Sequence, residues 1–182
     1  MKSGNFLLAE KSLFKRVEEE KKHRESQEVD IINYQPIYQH IFQSLNEAWI
    51  SRYFEMEEAD HKVLADPQQS IIKNGGYIFV VLYKQEPVGV YALLKMSDPD
   101  YDYELVKMAV SSTAQGKNIG FLLGQAAIKK ALELGANKLY LESNTMLKPA
   151  INLYQKLGFK KVVRNYTPYQ RCNIQMELSL KK

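Results

Sequence analysis

The sequence predicts an α/β domain built on one mixed sheet of about seven strands, flanked by about four helices. Three observations carry that reading. Short runs rich in β-branched and aromatic residues alternate with stretches whose apolar residues recur at helical spacing. The strand pattern from Tyr103 to Val110 passes through a glycine-containing loop into a helical pattern ending at Leu134, and another strand follows from Lys138 to Glu142. A strand, a crossover helix and a strand in that order imply a right-handed parallel pair. Finally, 182 residues with 45% apolar content suit a single sizeable core.

Composition narrows the function classes. The net charge of +4 comes from interspersed basic and acidic residues rather than a basic block, which speaks against a nucleic-acid partner and suits a small anionic ligand. Cys172 is the only cysteine, so an internal disulfide and a Cys-rich zinc site are both excluded. The longest apolar runs fall far short of a membrane span, and Phe6-Leu7-Leu8-Ala9 is too short for a secretory leader. The expectation is a soluble protein of the reducing cytoplasm, with no membrane partner.

The elements follow in order. Residues 1–27 are read as a charged extension, helical from Glu10 to Gln27, whose narrow stripe of Leu13, Phe14 and Val17 suits a solvated helix or a docking face for a second copy in a homodimer. The domain proper, 28–182, opens with a strand at Val29 to Tyr34. Between Pro36 and Asn74 the spacing is helical (Ile37, Ile41, Leu45, Trp49), with Pro67 starting a later helix. Trp49 and Phe54 read as core, and Glu55, Glu57, Glu58 and Asp60 as a solvated face, although the same stretch can supply aromatic and acidic surface to an amine. His40 and His61 lack partners at metal-ligand spacing, so no metal is expected. After the break at Asn74-Gly75-Gly76, Tyr77 to Tyr83 and Val88 to Met96 read as strands joined through Lys84-Gln85-Glu86-Pro87. Their near-continuous apolar character places them in the middle of a sheet covered on both faces. Leu147 to Leu157 is the last helix, and Lys160 to Asn165 with Asn173 to Leu180 form a terminal hairpin pair around a Pro168-containing loop.

The strand-to-helix junction at 110–121 is a ready place for phosphate. The first helical turn offers main-chain N–H groups without helical partners at the positive end of the macrodipole. Gly116 and Gly120 bracket the turn without a side chain, and Asn118 is among the residues that best tolerate a positive φ. A Walker loop needs Ser or Thr after Gly-Lys, where this chain has Asn118, and the glycine spacing does not fit a dinucleotide fingerprint.

Gln115-Gly116-Lys117-Asn118-Ile119-Gly120 resembles the acyl-CoA diphosphate loop, Q/R-x-x-G-x-G/A, of the GCN5-related N-acetyltransferase (GNAT) superfamily, with Asn118 at the position usually held by Gly. Glu104-Leu105-Val106-Lys107-Met108-Ala109-Val110 before it resembles that family's fourth strand, and Asn144, Ala150, Leu153-Tyr154 and Gly158-Phe159 its next strand end and helix. The resemblance spans roughly Glu28 to Leu180. It implies a splayed parallel pair that opens a cleft for acetyl-CoA as co-substrate, and an N-acetyltransferase acting on a primary amine, small molecule or peptide, in a ternary complex. By the same resemblance, main-chain groups of Met108, Ala109 and Val110 meet pantetheine and the oxyanion, and amides from Gln115 through Gly116, Lys117, Asn118, Ile119 and Gly120 to Phe121 cradle the diphosphate. Tyr154 aligns with the general acid that protonates the leaving thiolate, and Glu104 with the general base.

Each assignment has a plainer counterpart. Glu104 on an apolar strand is either a base raised toward neutrality by burial or a member of an ion pair. It is expected to share a strand face with Val106, Met108 and Val110 through period-two alternation. Asn144 bonds pantetheine or caps the next helix. A CoA-binding regulatory or interaction module without turnover is the alternative function, and the presence of both Glu104 and Tyr154 favours the enzyme.

Overall fold

The computed structural model describes residues 28–164 and 167–181. The expected N-terminal helix and the strand end at Asn165 fall outside them. Seven strands form one sheet: β1 (Val29–Asn33), β2 (Tyr77–Tyr83), β3 (Glu86–Lys95), β4 (Tyr103–Val110), β5 (Lys138–Ser143), β6 (Lys160–Val162) and β7 (Ile174–Ser179). Their spatial order is β1-β2-β3-β4-β5-β7-β6, antiparallel throughout except for β4 beside β5. Among the described residues the α-helices are α1 (Gln39–Tyr53), α2 (Glu58–Ala65), α3 (Ile119–Glu133) and α4 (Lys148–Lys156). Among the described residues no helix is long and apolar enough to cross a membrane.

Each face of the sheet carries its own apolar layer. On one, Ile119, Leu123, Ala127 and Ala131 recur every fourth residue along α3 and pack with Tyr91, Leu93, Leu105, Leu139 and Leu141. On the other, Phe42 of α1 and Leu64 of α2 meet Ile78, Val80, Val90 and Ala92. Strands β2 and β3 therefore have both faces covered, and their alternation of apolar and polar residues is lost.

Local chemistry differs from the sequence expectation at the β2–β3 turn. Lys84 and Gln85, at φ of 53° and 68°, make the β2–β3 turn alone, the double positive φ of a tight hairpin. Glu86 and Pro87 belong to β3, where Pro87 lies beside the bulge that shifts the register after Val81. Past Pro67 the expected helix forms, as one wide π-helical turn, Gln68–Ile72.

Gly76 is required by space. A Cβ there would lie 2.6 Å from the Leu93 carbonyl oxygen and 2.9 Å from that of Ile71, atoms of the backbone that cannot step aside. Gly76→Ala should cost about 1–3 kcal/mol in urea unfolding, an unchanged midpoint being the contrary result.

Candidate active site

The parallel ladder between β4 and β5 contains only two pairs, Tyr103↔Leu139 and Glu104↔Tyr140. Below it the strands are pinned by Asp102, whose Oδ2 accepts from the main-chain amides of Asn137 at 2.7 Å and Lys138 at 3.2 Å. Above it they part, and Glu104 stands at the apex of the opening.

The opening leads to a groove of about 410 Å³ lined by Val110, Ala114, Gln115, Gly116, Asn118, Ile119, Gly120, Phe121, Leu153 and Lys156. Most of the predicted phosphate-loop residues therefore meet in one place. Gly116 at φ +81° and Asn118 at φ +59° turn the chain into α3, with Asn118 as the N-cap residue. The amide of Gln115 donates to the Ser112 carbonyl and that of Phe121 to the Asn118 carbonyl. Those of residues 116–120, between them, have no hydrogen-bond partner among the described residues. A Cβ on Gly120 would make only ordinary contact, 3.5 Å from Leu153 Cδ2, so the chain's own packing does not demand glycine there. Lys117 points elsewhere, its Nζ 5.3 Å from the centre of the Tyr83 ring, whereas Lys156 brings a cation to the groove wall.

Strand β4 bulges where it passes the apex. Val90 pairs with Ala109 but Ala92 with Val106, leaving Lys107 and Met108 opposite Tyr91, with Lys107 at φ +52°. The extra residue reverses the side-chain alternation. Val106 packs on the α1 side with Glu104 beside it, whereas Met108 and Val110 pack on the α3 side and Ala109 on the α1 side. The expected common face of Glu104, Val106, Met108 and Val110 is thus split in two.

Glu104 has no hydrogen bond or ion pair among the described residues. Burial, followed by the charge of Glu142, pushes its carboxyl up to about 8. Glu142 lies on the facing wall, one alternation past Tyr140; it accepts from Tyr140 Oη at 2.8 Å and from Thr167 Oγ1 at 2.6 Å. Tyr154 sits on α4 with its ring edge-on to Phe159 at 6.0 Å, and burial pushes its phenol up to about 12. Its hydroxyl has no hydrogen-bond partner among the described residues, and it does not line the groove around the α3 N-terminus. Asn144 uses both ends of its amide within the chain: Nδ2 donates to the Arg171 carbonyl at 2.6 Å and Oδ1 accepts from the Met146 amide at 2.8 Å. The N-cap position of α4 is Leu147, so Asn144 organises the turn ahead of the helix.

Sequence reasoning missed a cluster on the α2 side of the cleft. Asp60, read from sequence as part of a solvated face, is completely buried, and its carboxylate receives Lys107 Nζ at 2.6 Å and Arg171 through both terminal nitrogens at 2.5 and 2.8 Å. Burial pushes the Asp60 carboxyl up, but the bonds from Arg171 and Lys107 outweigh it and hold it below the usual range. The signal was present in Lys107, a second charge on a mostly apolar strand and, like Glu104, costly to bury without a partner.

A sheet split after one short parallel ladder, with free amides at the mouth of the split, defines the class of acyl-CoA-dependent acetyltransferases. The chain belongs to the acetyltransferase (GNAT) family, whose profile matches residues 37–159. The N-acetyltransferase YjgM of Escherichia coli, itself uncharacterized, is 31% identical over 121 residues, covering 62% of this chain and 72% of its own length. YvbK of Bacillus subtilis, likewise an uncharacterized N-acetyltransferase, is 34% identical over 104 residues, covering 56% and 66%. Among solved structures, a GNAT-family acetyltransferase from Staphylococcus aureus superposes with a TM-score of 0.75 at 19% identity, covering 84% of this chain and 99% of that one. Spermidine N-acetyltransferase from Vibrio cholerae, in complex with CoA and spermine, gives 0.67 at 18% identity, covering 85% and 96%.

The environment of Glu104 fixes the sign of a pH effect. Its folded pKa lies above the ordinary 4.5, so its contribution to stability is complete below that value and is lost as pH rises through about 8. Glu104→Gln removes the titration. In urea unfolding the variant should gain about 1–3 kcal/mol on wild type between pH about 5 and about 9, less than full linkage because the carboxyl is partly solvated. A pH-independent difference would refute the raised value.

Proposed function

We propose that this chain transfers acetyl from acetyl-CoA to a primary amine by direct attack in a ternary complex. The observation that carries the reading is the row of unpartnered amides from Gly116 to Gly120 at the mouth of the β4–β5 opening. Those donors, the start of α3 and the Lys156 ammonium suit a diphosphate. The spare room at Gly120 lets the anion approach the backbone closely. Beyond the ladder, β4 from Leu105 to Val110 has no pairing with β5, which leaves the edge of the strand along Met108, Ala109 and Val110 open to an extended pantetheine arm.

Acetyl-CoA supplies an activated thioester; the protein's part is alignment and proton transfer. Glu104 takes the proton that an ammonium acceptor must shed before its nitrogen can attack, and its raised pKa suits that exchange near neutrality. Tyr154 stays protonated across the working range and donates its phenolic proton to the departing sulfur. The residue set aside by the β4 bulge leaves a main-chain amide near Met108 or Ala109 to meet the carbonyl oxygen. Glu142 brings an acidic side chain to the acceptor side, which favours a cationic amine; the named activity of the Vibrio cholerae neighbour is of that kind. Asn144 remains a secondary contact for pantetheine, through the second hydrogen of its amide.

Titration calorimetry with acetyl-CoA tests the cofactor site. Wild type should bind, and Gly120→Val should weaken binding by about tenfold or more because its branched side chain enters the groove; equal affinity would refute the loop assignment. Tyr154→Phe should lower kcat by about 10–100-fold in a thiol-release assay while leaving CoA affinity within about threefold. Unchanged turnover would remove Tyr154 from the acid role.

A further inference from the structure

We propose that Asp60 and Lys107 are positioning residues for acetyl transfer: their ion pair, shared with Arg171, holds the β4 bulge and the 167–173 segment in one arrangement on the acceptor side of the cleft. The inference rests on the acetyltransferase reading above. The backbone at the bulge is unusual. Lys107 is the bulge residue, and its φ of +52° lies in a region that side chains other than Asn and Asp seldom occupy. Such a residue persists when its surroundings over-determine it. Here they do so from both ends. The Lys107 carbonyl accepts from the buried Asn46 of α1 at 3.4 Å, and the ammonium is buried against Asp60 at 2.6 Å and the Tyr169 hydroxyl at 3.2 Å.

Asp60 is saturated. Oδ1 accepts from Lys107 and Arg171, and Oδ2 from Arg171 and the Glu57 main-chain amide at 3.1 Å. Arg171 is gripped from both walls of the opening. Glu57, at the start of α2, takes its main-chain amide at 3.2 Å and its guanidinium at 3.0 Å, while Asn144, beyond β5, donates to its carbonyl. The same segment carries Tyr169, whose hydroxyl accepts from Lys107 and so keeps its own proton to give, and Thr167, which donates to Glu142. One buried carboxylate therefore links the strand that faces the thioester to the groups that face the amine. Stability alone gives little reason for such a cluster, because buried ion pairs replaced by apolar residues of similar volume commonly leave a protein no less stable.

Two variants and three readouts test the role. Lys107→Met leaves Asp60 its two-nitrogen grip on Arg171, and Asp60→Leu/Lys107→Met/Arg171→Leu replaces the whole charged cluster by apolar residues. Thiol release from acetyl-CoA is followed with a panel of a polyamine, an aminoglycoside, an amino acid and a peptide N-terminus, alongside CoA titration and thermal melting. In Lys107→Met, kcat should fall by about tenfold or more with the KM for acetyl-CoA and the Kd for CoA within about threefold of wild type. In the triple variant kcat should stay low even where the melting temperature matches wild type. Unchanged kcat in Lys107→Met, or kcat recovered in the triple variant, overturns the positioning role and leaves the acetyltransferase reading standing. Wild type that binds no CoA overturns both.

Discussion

Two residue pairs of parallel ladder join β4 to β5, and the strands then separate. A strand leaving its neighbour within a sheet exposes main-chain donors and acceptors that are costly to bury unpaired and therefore invite an extended ligand. The rest of the molecule supports that separation. Asp102 fastens the strands below it, α3 begins beside its mouth with amides to spare, and β7 backs the departing β5 along its full length. The α3 core residues at every fourth position hold the helix to the sheet, which keeps the N-terminal end of the helix at a fixed height above the opening.

The bulge in β4 gives the strand two unlike sides. A regular strand would send Glu104 and Met108 to the same side. With Lys107 inserted, the acid lies on the α1 and α2 side and the apolar side chains on the α3 side. A buried carboxyl and an apolar wall thus occupy opposite sides of one thin layer.

The turn from β4 into α3 was legible because its determinants are local. Gly116 and Asn118 adopt the positive φ that their side chains permit, and the missing Cβ at Gly120 is visible in a bare sequence. The sheet could be read from apolar runs and from the strand-helix-strand order for the same reason. The bulge could not, since it exists only in the register of β4 against β3. Asp60 shows the limit most sharply. Its charged surroundings in sequence look like a solvated helix face, but its partners lie 47 and 111 residues further along the chain. Glu142 gained meaning only when folding set it across from Glu104, and Asn144 only when Arg171 came within reach of its amide.

The sheet is completed out of chain order, with β7 lying between β5 and the edge strand β6. During synthesis β6 emerges before β7 and has no seat on the sheet until β7 arrives. The far wall of the cleft therefore closes only after residue 179 has cleared the ribosome, so a nascent chain cannot assemble this half of the molecule piecemeal.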